Sequence, residues 1–279
     1  MKTTVTLTGT GTPRPTAGRA GAGTLIQCGS ESIQIDAGRG TVLRLAEADM
    51  PVESLDALFL THHHSDHLVA VPDLLISRWV MGATQSLDVV APAGPLTDFG
   101  KRVLDLWDED EQVRRTHTGR PAIPRPNWLD VDPCDRAQLV WEGAELRVEM
   151  VRVEHQPVEP AVAYRVEARD GTVVVVSGDT RVCEQVEQVA TGADLLVHEA
   201  VRPALLGAGR GYISEYHAEC EQLGAMAERA GVKSLVLTHL EPAPSTREQE
   251  QGFIDDVRRG GYVGDLAVGR DLWTVELSS

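Results

Sequence analysis

Short runs of β-branched and aliphatic residues alternate along the chain with longer stretches in which apolar residues recur every three or four positions. The short runs predict strands at Val5–Thr8, Thr24–Cys28, Ser32–Ile35, Ala57–Leu60, Leu87–Val90, Leu146–Val153, Val162–Val166, Thr172–Val176, Leu195–Val197, Leu235–Leu237 and Leu272–Val275. The longer stretches predict helices at Ser65–Val80, Leu96–Leu106, Arg181–Thr191, Ala218–Ala230 and Thr246–Arg258, with Gly192 and Gly231 placed to end two of them. The pattern divides near residue 140 into two halves, each with strands followed by helices. The pattern predicts an α/β (α+β) chain whose two sheets pack face to face with helices outside, a four-layer αββα sandwich. We expect a single domain over residues 1–279. Residues 108–135, charged and then proline-rich without clear periodicity, read as a lid or insertion.

Beyond the strand at Ala57–Leu60 stands Thr61-His62-His63-His64-Ser65-Asp66-His67. His62 and His64 are two apart, so in extended chain they point the same way. Asp66 and His67 open the next helix and can turn toward a neighbouring point. Such density on one tight loop serves two metal ions better than one, and imidazole with carboxylate suits zinc, with manganese or iron also possible. A histidine-rich surface turn is the plain alternative. It leaves unexplained why His155, Asp179 and His239 each follow a strand, at the place where open α/β layers put their sites.

The order HxHxDH, a later His, an Asp in Gly178-Asp179-Thr180 and a final His resembles the metallo-β-lactamase-fold superfamily over essentially the whole chain. The resemblance implies that His62, His64 and His155 hold one metal ion, that Asp66, His67 and His239 hold a second, and that Asp179 bridges them. His63 falls at a variable position and receives no role. The openings Leu7-Thr8-Gly9-Thr10-Gly11-Thr12-Pro13 and Ile35-Asp36-Ala37-Gly38-Arg39-Gly40-Thr41 are similar to the ribonuclease Z and arylsulfatase branch, where the Asp, here Asp36, supports the HxHxDH loop from behind. In ribonuclease Z-like enzymes a His-Glu-Ala segment, here His198-Glu199-Ala200, cooperates with a later histidine, here His217, near the leaving group. A carboxylate that orients an imidazole and raises its pKa suits it to protonate a departing oxygen. A buried hydrogen-bonded cluster that props the metal ligands is the other reading of those residues. Asp66 is implied as the proton acceptor for the attacking water, so the expected catalytic residues are Asp66, Glu199 and His217. The branch also implies a homodimer.

Composition then narrows the substrate. The formal net charge is −16 and only Lys101 and Lys233 follow Lys2, whereas a grip on a long phosphate backbone needs clustered cations. His155 and Asp179 lie only 24 positions apart, and two strands consume most of that length. The arm that tRNA-processing members commonly carry there has no room. The expected enzyme is a two-zinc hydrolase acting on a small or short phosphodiester. An arylsulfatase-type hydrolase, or a lactone or ester hydrolase or cyclase of secondary metabolism, are the alternatives; tRNA 3′-end processing and a non-catalytic metal-binding scaffold are disfavoured. Four scattered cysteines without a CxxC pair, no long apolar run, and an N-terminus without a signal-like h-region give the expectation of a soluble, cytoplasmic protein without a membrane partner.

Overall fold

Runs that are apolar on both faces, such as Val173–Val176, can only be satisfied between neighbouring strands and under helices. The computed structural model, which describes residues 2–277, places them there. The first half of the chain supplies β1 (Thr3–Gly9), β2 (Gly23–Cys28), β3 (Glu31–Ile35), α1 (Thr41–Glu47), β4 (Ala57–Phe59), α2 (Ser65–Leu68), α3 (Val71–Met81), β5 (Asp88–Pro92), α4 (Pro95–Arg102), α5 (Asp108–Thr118) and β6 (Asn127–Val131). The second supplies β7 (Gln138–Glu142), β8 (Leu146–Arg152), β9 (Val162–Ala168), β10 (Val173–Val176), α6 (Glu184–Val189), β11 (Leu195–Val201), α7 (Cys220–Arg229), β12 (Ser234–Glu241), α8 (Arg247–Arg259), β13 (Asp265–Val268) and β14 (Thr274–Leu277). One sheet runs β14-β1-β2-β3-β4-β5-β6 and the other β13-β12-β11-β10-β9-β8-β7. The division near residue 140 therefore separates the sheets, except that β14 crosses back to pair antiparallel with β1.

Three apolar clusters hold the layers. Val5, Ile26, Phe59, Val148, Tyr164 and Val197 belong to the one between the sheets. Leu58, Leu74 and Trp79 belong to a second, beneath α1 and α3, and Val186, Leu223 and Phe253 to a third, beneath α6, α7 and α8. This is the αββα sandwich. Strands β3 to β6 run parallel, as do β10 to β13, so their carboxyl ends open together along one edge of each sheet.

Several details depart from the sequence pattern. The helix expected at Ser65–Val80 is two helices, because Pro72 has no N–H to donate and α3 starts afresh around it. The break lets Ala37 N donate to His67 O at 2.7 Å and Ala70 N to Ala37 O at 3.0 Å, which stitches the histidine loop to the turn after β3. A Cβ at Gly38 would sit 2.2 Å from Asp66 O, so only glycine admits this approach. Residues 108–135 contain α5 and edge strand β6. Trp79 Nε1 donates to Pro121 O at 3.0 Å, which ties the segment to α3.

The sheets are also clasped at the end remote from the histidine loop. Glu31 accepts hydrogen bonds from the backbone N–H groups of Ala144, Glu145 and Leu146 at 2.9, 3.0 and 2.7 Å. Charge-assisted bonds of this kind are among the stronger ones in a fold. Glu31→Ala is expected to lower unfolding free energy by about 2–4 kcal/mol in chemical denaturation, with the secondary structure retained. A loss below about 0.5 kcal/mol would show that the clasp contributes nothing.

Candidate metal centre

Asp36 fixes the geometry of the histidine loop. It ends β3 in the left-handed region, with φ 59°, a conformation that aspartate tolerates better than most residues. Its Oδ1 accepts from Thr61 N at 2.8 Å and its Oδ2 from Thr61 Oγ1 at 2.9 Å and from His67 Nδ1 at 2.7 Å. His62 Nδ1 lies 3.0 Å from Thr61 Oγ1, and with that hydroxyl already donating to Asp36, His62 Nδ1 is the donor. The His62 ring thereby turns an Nε2 lone pair inward, and the His67 ring turns its Nε2 to the same place. His155 does the same by donating Nδ1 to Tyr216 O at 3.1 Å. A hydrogen bond on one ring nitrogen sets the tautomer that leaves the other free for a metal.

The free atoms converge on Asp179. Its carboxylate, buried in the turn after β10, lies 3.9 Å from His62 Nε2, 3.4 Å from His67 Nε2, 3.8 Å from His155 Nε2 and 3.4 Å from His239 Nε2. Asp66 Oδ2 is 3.3 Å from His239 Nε2. Possible ligand atoms lie within 4.8 Å of one another in the set His62, His64, His155 and Asp179, and likewise in the set Asp66, His67 and His239. The structure thus brings together all seven residues singled out as ligands, in two groups. His62 Nε2, His67 Nε2 and Asp179 Oδ1 are buried with no hydrogen-bond partner, a costly state unless something else occupies them. Neutral imidazoles and carboxylates are the donor set that a divalent cation takes, so the residues fit such an ion.

The electrostatics differ between the two groups of histidines. Burial pushes His62, His64 and His155 below the ordinary imidazole value, which favours the neutral form a metal requires. Burial opposes charge on His67 too, but the carboxylates of Asp179 and Asp36 raise it well above that value. Asp179 is penalised by burial and yet held well below the usual carboxylate range by His239 and His67. His239 has φ 43°, a second left-handed residue in the site. Backbone strain of this kind concentrates where a side chain must be aimed.

Glu199 and His217 stand beside this cluster. Glu199 Oε1 accepts from Thr180 N at 3.1 Å, Ala218 N at 3.2 Å and His217 Nδ1 at 2.8 Å. One carboxylate therefore ties the Asp179 turn to His217. The His217 ring stacks on His239 with centroids 5.7 Å apart. His198, the neighbour of Glu199, instead donates Nδ1 to the Glu199 carbonyl at 2.7 Å. His63 has no ligand partner. Thr61 and Tyr216 were not singled out from sequence; their positions directly before His62 and His217 were the available signal.

Residues 31–240 match the family described as the Beta-lactamase superfamily domain. The chain is 38% identical to a ribonuclease Z of Mycobacterium sp. (strain KMS), over 98% of this chain and 95% of that one. It is 33% identical to a ribonuclease Z of Mycobacterium bovis (strain BCG / Pasteur 1173P2), over 98% of each. Among solved structures it is similar to the metallo-β-lactamase fold protein YhfI from Bacillus subtilis, with TM-score 0.77 and 21% identity over 99% of this chain and 100% of that one. It is also similar to the short form of human tRNase Z, with TM-score 0.73 and 23% identity over 98% of each chain. At those identities the structural likeness speaks for the fold.

Burial works against a charged His217, but the Glu199 carboxylate outweighs it and raises the imidazole to about 9. The raised value means that this pair's stabilisation is complete below the ordinary 6.5 and is lost as pH rises through about 9. In metal-free protein followed by NMR, His217 is expected to titrate near 9, and Glu199→Gln to return it to 6.5 or below. A wild-type midpoint at or below 6.5 would mean that Glu199 does not control this ring.

Proposed function

The chain belongs to the β-lactamase superfamily, in its ribonuclease Z branch, and is a metal-dependent hydrolase of ester bonds; from that premise we propose a dinuclear zinc phosphodiesterase acting on a small or short phosphodiester. The observation that carries this reading is the Glu199–His217 pair, buried beside the two groups of ligand residues. We assign His62, His64 and His155 to one ion, Asp66, His67 and His239 to the other, and Asp179 to both. Two divalent ions bound there supply Lewis acidity and lower the pKa of the attacking water. The Asp66 carboxylate accepts that water's proton. His217, held by Glu199 at Nδ1, presents Nε2 to the departing oxygen and protonates it. Thr61 and Asp36 keep the His62 and His67 rings aimed.

The net charge of −16 and the short span from His155 to Asp179 support a small or short substrate. We assign the covering role within residues 108–135 to the tail, where Pro133 O accepts from Arg152 Nη2 three residues before His155. A second reading, cleavage of longer RNA, is supported by the name that the mycobacterial relatives carry. The near-complete mutual coverage of 98% and 95% leaves those relatives little room for an arm that this chain lacks.

Zinc-loaded protein offered bis(p-nitrophenyl) phosphate, a p-nitrophenyl sulfate and a 3′-extended tRNA should hydrolyse the small diester. Preference for the RNA by kcat/KM would select the second reading, and cleavage of the sulfate alone would overturn both. On a diester with an alkoxide leaving group, His217→Ala should retain both ions by elemental analysis while kcat falls by roughly 10²–10⁴. Asp179→Ala should lose metal, and normal activity in that variant would sink the two-metal assignment.

A further inference from the structure

The chain has only four tyrosines. Tyr164 and Tyr262 are buried at 0% and 1% exposure, and their hydroxyls donate to backbone carbonyls, Tyr164 to Leu60 and Tyr262 to Val232. Tyr212 and Tyr216 are different: they occupy the lip of the metal centre, and Tyr212 is 52% exposed. Among the described residues neither hydroxyl has a hydrogen-bond partner, so the rings are not held there by their polar ends.

The rings form a stair into the site. Tyr212 and Tyr216 have centroids 6.3 Å apart at 40°. Tyr216 and His217 are 4.9 Å apart at 51°, and His217 and His239 are 5.7 Å apart at 19°. The segment that bears the stair is anchored at three points. Arg210 Nη1 donates to Glu241 Oε1 at 3.1 Å, Ile213 is buried, and Tyr216 O accepts from His155 Nδ1 at 3.1 Å. Its flat faces are therefore ordered before any ligand arrives, which removes an ordering cost from binding.

From this we propose that Tyr212 and Tyr216 are a stacking platform for a nucleobase carried by the scissile phosphodiester; the proposal rests on the phosphodiesterase reading above. A protein of net charge −16 cannot draw much affinity from the phosphate backbone. Stacking on aromatic faces is the other large source of affinity for a nucleotide, and it is indifferent to net charge and largely to base identity. The stair leads from solvent to His217 and His239 at the ligand cluster, so a base stacked on it belongs to the nucleotide that carries the scissile phosphate. The platform sets preference for nucleosidic over simple alkyl esters, and does no chemistry.

The test uses two substrates with one leaving group, thymidine 5′-(p-nitrophenyl phosphate) and methyl p-nitrophenyl phosphate, with zinc-loaded wild type, Tyr212→Ala and Tyr212→Phe. Calorimetric binding of thymidine 5′-monophosphate and of methyl phosphate runs beside them. Tyr212→Ala should reduce the ratio of kcat/KM values, nucleoside over methyl, by roughly 5- to 50-fold, chiefly through KM. Thymidine 5′-monophosphate binding should weaken by a similar factor, and Tyr212→Phe should keep both. Equal loss on the two esters would reduce the tyrosines to loop packing and overturn the platform, as would an unchanged ratio; in either case cleavage of the methyl ester leaves the phosphodiesterase reading standing. If wild type cleaves neither ester but its mononucleotide binding still depends on Tyr212, the platform stands and that reading fails. Absence of both cleavage and mononucleotide binding overturns the platform as well.

Discussion

Asp179 carries a carboxylate to a buried place at the meeting of the two sheets and surrounds it with imidazole nitrogens of His62, His67, His155 and His239 at 3.4–3.9 Å. A lone buried charge is expensive, and so is a set of buried imidazole lone pairs that touch no donor. A carboxylate and an imidazole lone pair are both acceptors, so neither relieves the other, and His62 Nε2, His67 Nε2 and Asp179 Oδ1 keep no hydrogen bond. The arrangement is a standing demand for positive charge. Much of the surrounding structure can be understood as what holds that demand in place: Asp36 behind the histidine loop, Glu199 behind the Asp179 turn, and the Tyr216 carbonyl behind His155.

The sandwich makes this possible because parallel strands deliver their carboxyl ends to a common edge. Residues far apart in sequence then need only short loops to meet. The rigidity has a local cost in the left-handed backbone at Asp36 and His239, with φ 59° and 43°. Neither could be read as an accident of a surface turn, since both residues are buried and face the same centre.

How far the sequence foretold this depends on whether an element shows an apolar face. Helix α7 and strand β10 are covered on the side that matters, so their patterns put them within a few residues of their observed bounds. Helix α5 was invisible because only Glu111 of its eleven residues is buried, and a helix that is polar all round has no 3.6-residue stripe. Strands β6, β7 and β13 flank the sheets and are largely half-exposed or exposed, which blurs alternation. At the site, the run from His62 to His67 declared a metal by density alone. That His155, Asp179 and His239 would meet it depended on strand ends converging in space, which the resemblance supplied and residue spacing could not. The Arg210–Glu241 bridge and the tyrosine stair were illegible for the same reason.

The return of β14 to the first sheet bears on how the molecule assembles. Thr6 and Thr274 hydrogen-bond through their hydroxyls at 2.9 Å across 268 positions of chain. During synthesis β1 presents an unpaired edge until the whole stretch between it and β14 has been made. That strand also shares the sheet whose β4 leads into the histidine loop. Completion of the metal-bearing half thus waits on a loop closure of 268 positions, an ordering that slows folding and lengthens the exposure of a sticky edge.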